Sequence, residues 1–333
     1  MLNLIVDTDG FLDDARAIAI AFTRPGVQLL AITTVSSCPA VPIEQVVANV
    51  SRLRRLFNRP DVPIYRGSAD ALVERTELNE QPTHFFGSDG FGDCPDAEPT
   101  LKNDDRAASC PNLSAASAIS LLTKQYSDVL LVCLGPLTNV ALALKADPNI
   151  ATRLKSVTIM GGSLWAIGNV ENSTAEFNFH ADPEAAKIVL KQMKCPIKIV
   201  PWELYLKLEI PRKIRYDPSV DIESHLALDT KVSRFFATAF AYTRKFGNGG
   251  EKVSFCDEIA VSVAIDPDVA LTSRSIYATV ELNGKWTRGQ MISYWAAEFY
   301  VKHIGPEKLA RVEVVTNYDV KRVNEMLMEA VNA

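Results

Sequence analysis

Through the first two thirds of the chain, short apolar runs alternate with segments whose apolar positions recur every three or four residues. LNLIV (2–6) leads into a helical pattern from about Asp13, and VQLLAITTV (27–35) leads into IEQVVANVSRLRRLF (43–57). DVLLVCL, LTNVALALKA, SVTIM, PEAAKIVLKQM and PIKIV then follow between residues 128 and 200. Nearly continuous apolar strands separated by amphipathic helices predict an α/β protein, with an open, mostly parallel central sheet flanked by helices. Residues 72–113 break the rhythm: they are polar, contain Gly and Pro, and are long for a loop, which points to function. Residues 221–247 have an apolar helical face, and NGGEKVSFCDEIAVSVAIDP reads as a loop entering a short buried helix. The tail predicts strands at IYATVEL and ARVEVVTNY and a closing helix at KRVNEMLMEAV. No repeat or linker interrupts the chain, so residues 1–333 are expected to form a single domain.

Composition narrows the function. The chain is 47% hydrophobic and 23% charged, as an ordinary globular protein is. Its net charge is −5 and no basic stripe is present, which argues against a nucleic-acid partner. No run approaches the roughly 20 apolar residues of a membrane span. The first residues lack a basic region and cleavage site, so they read as a strand rather than a signal peptide. Six scattered cysteines without CxxC pairs suit free thiols in a reducing compartment, so the expected location is cytoplasmic.

In open α/β sheets, ligands bind beyond the carboxyl ends of the strands. The first predicted strand is followed by Asp7, Asp9, Asp13 and Asp14, and the second by Ser36, Ser37 and Cys38. Later strands end at Leu134-Gly-Pro, Met160-Gly-Gly and Pro201-Trp202-Glu203. Either Asp13 or Asp14 alone could be a helix cap. Four carboxylates at one buried strand end would repel one another unless they hold a cation, and hard oxygen donors suit Ca²⁺ or Mg²⁺. An EF-hand is excluded, because a loop begun at Asp7 or Asp9 would place Ile18 or Ile20 where the twelfth-position Glu belongs. The D-x-D-G start also resembles the phosphatases of the haloacid dehalogenase superfamily, although Phe11 stands where those carry Thr or Val.

With Asp13 and Asp14 added, D-x-D-G-x-x-D-D resembles the opening of the nucleoside hydrolases of the inosine–uridine type. LLAITTV, LVCLGPLTNVALAL, IMGGS with GNVENSTAEFNFHADPEAA, FCDEIAVSVAIDP and VELNGKWTRGQM are similar to further blocks of that family, from residue 4 to about 291. The resemblance implies the nucleoside hydrolase fold. It also implies Ca²⁺-dependent hydrolysis of the N-glycosidic bond of ribonucleosides to ribose and free base. Carried over by position, Ca²⁺ would be held by Asp9, Asp14, the Leu134 carbonyl and Asp257, with Asp7 supporting them from behind. Asp13 would be the general base for the attacking water, and Asn169, Glu176 and Asn178 would hold ribose hydroxyls above Met160. Relatives of this kind imply a homo-oligomer, a dimer or tetramer.

Three positions depart from the family pattern. Cys256 replaces the His that precedes the late metal-binding Asp, Cys38 replaces Asn or Asp after the second strand, and Phe86 replaces the His of an HGE-like loop. A branch of the family with Cys at the late position leans toward purine nucleosides, so purine nucleosides are the expected substrates. Cys256, with Cys38 near it, would then assist departure of the base as a proton or hydrogen-bond donor. Phe85, Phe86, Trp165, Trp202 and Tyr242 are candidates for stacking the base, with His84 and His180 near motif positions. The loop Gly87–Asp93 is a candidate lid. The rival of another class is a nucleoside- or ribose-binding protein that has lost turnover; retention of Asp13 argues against it.

Overall fold

The computed structural model describes residues 1–73, 85–170, 174–206, 208–209, 213–214, 222–246, 255–294 and 309–333. In chain order the elements are β1 (Leu2–Thr8), α1 (Leu12–Thr23), β2 (Val27–Thr34), α2 (Ile43–Leu56), β3 (Ile64–Arg66), a 3₁₀ turn (Asn103–Ala107) and α3 (Ala115–Gln125). Next come β4 (Leu130–Cys133), α4 (Thr138–Ala146), α5 (Ile150–Arg153), β5 (Ser156–Met160), α6 (Phe177–Ala181), α7 (Pro183–Gln192), β6 (Ile197–Val200) and α8 (Trp202–Tyr205). A two-stranded hairpin, β7 (Leu208–Glu209) with β8 (Lys213–Ile214), precedes α9 (Ile222–Leu226), α10 (Lys231–Phe246) and α11 (Asp257–Ile265). The chain closes with β9 (Ala270–Val280), β10 (Met291–Tyr294), β11 (Ala310–Tyr318) and α12 (Val320–Val331).

Nine strands form one sheet in the order β10-β9-β11-β6-β5-β4-β1-β2-β3. Pairing is parallel from β3 across to β11, whereas β9 and β10 add antiparallel at the far edge. Successive β1 side chains enter opposite layers. Leu4 and Val6 pack with α1, α11 and α12, while Ile5 packs with α3, α4 and α7. That is the period of two expected of a strand covered on both faces. In α12 the buried Val323, Met326, Leu327, Ala330 and Val331 make the single apolar stripe that the sequence pattern predicts.

Three local readings change. The helical stretch at 221–247 is two helices, because Thr230 stops the first and starts the second: its hydroxyl accepts from Ser233 N at 3.0 Å and donates to Val331 O at 2.6 Å. Helix α3 and the short strands β3 and β10 are additions to the expected elements. Gly87–Asp93 is an anchored wall rather than a hanging flap. Asp93 Oδ1 accepts from Ser88 N at 2.7 Å and Asp89 N at 3.1 Å, Asn49 Nδ2 donates to Asp89 O at 2.8 Å, and Phe91 is fully buried. Among the described residues, no helix is long and apolar enough to cross a membrane.

After β1 the chain builds toward β2 and β3, then returns to the other side of β1 for β4, β5 and β6. The crevice therefore opens between the carboxyl ends of β1 and β4, at the point where the strand order reverses. Asp7 of β1 stands opposite Cys133 of β4 there, so Asp9 and Leu134 flank the crevice.

Candidate active site

The turn from β1 to α1 concentrates the acids. Gly10 takes φ +70°, which swings the chain back over the sheet, and a Cβ there would lie 2.8 Å from Val46 Cγ1. Thr8 Oγ1 donates to Asp14 Oδ1, and Phe11 N donates to Asp14 Oδ2 at 3.2 Å, so the start of α1 holds the Asp14 carboxylate against the strand end. Asp7 is buried one layer below, accepting from Asn139 Nδ2 at 2.8 Å and from Thr33 Oγ1.

Asp13, Asp14 and Asp257 each bring a carboxylate oxygen to within 4.8 Å of the others. Asp9 lies within hydrogen-bonding reach of Asp14. Burial and then the charge of Asp14 push Asp9 and Asp257 well above the usual carboxylate range. The same causes push Asp13 up to about 7, while burial alone dominates the rise of Asp7 to about 7. Oxygen-only donors, buried, crowded and mutually repelling, suit a hard divalent cation, so the residues fit a metal ion.

A cavity of about 400 Å³ opens above these carboxylates. Its lining includes Asp9, Asp13, Asp14, Cys38, Leu134, Met160, Asn169, Glu176, Asn178, Cys256 and Asp257, which come from eight separate chain segments. Asp7 supports this floor from behind. Phe85, Phe86 and Trp202 also line the cavity, whereas Trp165 is exposed at the surface and Tyr242 and His180 stand outside the lining. His84 and the 247–254 part of the loop before α11 lie outside the described residues.

The wall opposite the aspartates is prepared for a polyhydroxylated ligand. Glu176 caps α6 with both oxygens engaged: Oε1 accepts from Asn178 N at 2.8 Å, and Oε2 accepts from Gly162 N at 2.9 Å and Phe179 N at 3.1 Å. Burial nonetheless pushes Glu176 up to about 7. Asn178 Nδ2 donates to Leu134 O at 2.8 Å, which turns its Oδ1 into the available acceptor. Asn169 is oriented the other way, since its Oδ1 accepts from Phe177 N at 2.7 Å and its Nδ2 is left to donate.

Sequence reasoning missed part of the lining. Phe11, Phe177 and Tyr205 face the cavity, with Phe11 5.7 Å from Phe86 and Trp202 stacked on Tyr205 at 4.2 Å. Phe11 and Phe177 sit beside motif acids, and that adjacency was the available signal. Cys256 is 6% exposed at the N-terminus of α11, and burial followed by the charges of Asp257 and Asp13 pushes its thiol well up. Cys38 is also held up by burial. Both thiols therefore keep their protons at neutral pH.

The sequence profile described as "Inosine-uridine preferring nucleoside hydrolase" matches residues 4–325. Among solved structures, an Inosine-Guanosine Nucleoside Hydrolase (IG-NH) is 32% identical with a TM-score of 0.86, covering 100% of this chain and 99% of that one. A Purine-Preferring Ribonucleoside Hydrolase from Gardnerella vaginalis is 26% identical with a TM-score of 0.79, covering 99% and 98%. By sequence, the pyrimidine-specific ribonucleoside hydrolase RihA of Salmonella enteritidis is 28% identical over 300 residues, 87% of this chain and 88% of that one.

Proposed function

The chain belongs to the inosine-uridine preferring nucleoside hydrolase family, and from that premise we propose that it is a Ca²⁺-dependent enzyme favouring purine ribonucleosides, with Asp13 as general base and Cys256 as the donor to the leaving base. The reaction class, hydrolysis of the N-glycosidic bond of ribonucleosides, follows from membership. A haloacid dehalogenase-like phosphatase is thereby excluded. One observation carries the finer reading. A single cavity sets buried carboxylates on one side and a protonated thiol amid aromatic rings on the other.

Cleavage of an N-glycosidic bond develops positive charge on the sugar, as in glycoside hydrolysis. Asp9, Asp14, the Leu134 carbonyl and Asp257 are the residues that would hold the metal. When bound, such an ion supplies Lewis-acid polarisation of water and of vicinal hydroxyls. Asp13 lines the cavity beside this group and takes the proton of the attacking water. Asn178 accepts from a sugar hydroxyl through Oδ1, Asn169 donates through Nδ2, and Glu176 accepts with its remaining lone pairs. The carboxylate floor stabilises a cationic sugar more than a neutral one, which lowers the barrier rather than only tightening binding. As the C–N bond breaks, its electron pair goes to the base nitrogen, and the Cys256 thiol supplies the proton that neutralises it. The thiolate is then reprotonated with the proton that Asp13 took from water. Phe11, Phe85, Phe86, Trp202 and Tyr205 surround the base and exclude bulk water.

Purine preference rests on the aromatic width of this mouth, on Cys256, and on the names of the two structural relatives above; the Salmonella relative bears the opposite preference. Residues 1–333 are read as one domain, because one sheet joins β1 to β11. The test is ribose release from inosine, guanosine, adenosine, uridine and cytidine. The expected order puts purine nucleosides first, by about tenfold or more in kcat/KM. Faster release from uridine or cytidine overturns the preference, and no release from any of the five overturns the catalytic reading.

A further inference from the structure

Arg16 and Glu258 form an ion pair inside the protein, with Nε and Oε1 2.5 Å apart and side-chain exposures of 5% and 0%. Stability is a poor reason to keep such a pair, since replacing both partners by apolar residues is often neutral or stabilising. Its position supplies a better one. Arg16 lies one turn beyond Asp13 on α1, and Glu258 follows Cys256 and Asp257 at the start of α11. Glu258 Oε2 accepts from Cys256 N at 2.8 Å, so the carboxylate fixes the backbone of the thiol-bearing residue. Cys256 stands outside helical geometry, at φ −131° and ψ −86°, and no side chain of its own caps the helix. From the other side, the Arg16 guanidinium lies 4.9 Å over the ring of Phe240 on α10. Without that guanidinium, Glu258 would face the charges of Asp257 and Asp14 and be driven off the Cys256 amide.

We propose that Arg16 and Glu258 are positioning residues for leaving-group departure, a buried pair on α1 and α11 that holds Cys256 at the base end of the cavity. The pair touches neither sugar nor base, and it acts by fixing Cys256 relative to Asp13. The inference rests on the reading of Cys256 as the leaving-group donor.

The experiment compares inosine with 4-nitrophenyl riboside, whose leaving group departs without a proton. Arg16→Met combined with Glu258→Leu removes the pair while filling its space. This variant is expected to melt within a few degrees of the wild type and to keep KM for inosine and turnover of the nitrophenyl substrate. Its kcat on inosine is expected to fall about tenfold or more. Arg16→Met with Glu258→Gln keeps a neutral acceptor for the Cys256 amide and is expected to recover most of that loss. Should the apolar variant fail to fold, Arg16→Met alone is expected to show the same split between substrates. Unchanged inosine turnover, or an equal loss on both substrates, overturns the proposal. Cys256→Ala in parallel separates the two levels. An equal loss there overturns the donor reading itself, whereas a selective loss beside an unsplit pair variant overturns only the positioning role.

Discussion

Asp13 and Cys256 face one cavity from the starts of α1 and α11, and each is held in its protonation range by its surroundings. Because the thiol serves only the leaving base, Cys256→Ala should cost inosine turnover about 10²-fold while sparing 4-nitrophenyl riboside. Paired kcat measurements on the two substrates check this. Asp13 acts on the water, which both substrates need, so Asp13→Asn should lower kcat on both by about 10²–10⁴-fold with little change in KM. Most lining residues could be read from the sequence, because acids, amides and thiols at strand ends carry a chemical signal. Phe11, Phe177 and Tyr205 could not: an aromatic side chain reads as core until its neighbours are known. The Arg16–Glu258 pair was also hidden, since it joins residues 242 positions apart that look like two ordinary helix charges.

At the scale of elements, the β1–α1 turn does the most for the site. Gly10→Ala forces a Cβ into a left-handed backbone and against Val46, both of which are unfavourable. A loss of about 1–2 kcal/mol is expected from the conformation alone, read as a lowered melting temperature. The displaced turn should also lower kcat, since Asp9, Asp13 and Asp14 all move with it. The long parallel strands and α1, α2, α7, α11 and α12 were legible because each buries a regular apolar set. Helix α3 was less so. Its buried face is built on Ala115, Ala118, Ile119 and Leu122, and small residues following a polar loop give a weak period. The three-residue β3 and four-residue β10 are too short to show alternation, and sheet neighbours define them. In 221–247 the apolar face ran straight across Thr230, whose capping role depends on a contact with the last helix.

For the whole molecule, the buried acids link stability to pH and to metal. Folding raises Asp7 and Asp13 from 3.8, and Glu176 from 4.5, to about 7. Each therefore binds its proton more tightly in the folded than in the unfolded chain. Their contribution to stability is complete below about pH 4 and is lost as pH climbs through about 7. Metal-free protein should accordingly lose melting temperature between pH 5 and pH 8 through these groups. Added Ca²⁺ should restore more of it at pH 8 than at pH 5, because a cation replaces the protons. Melting curves with chelator and with Ca²⁺ at the two pH values check the sign. The most direct measurement is ribose release from inosine by chelator-treated protein as Ca²⁺ is added back. Release should be lost on chelation, return with a saturable dependence on Ca²⁺, and fail to return in Asp14→Asn at the same concentrations. Full ribose release in the presence of chelator would contradict the account.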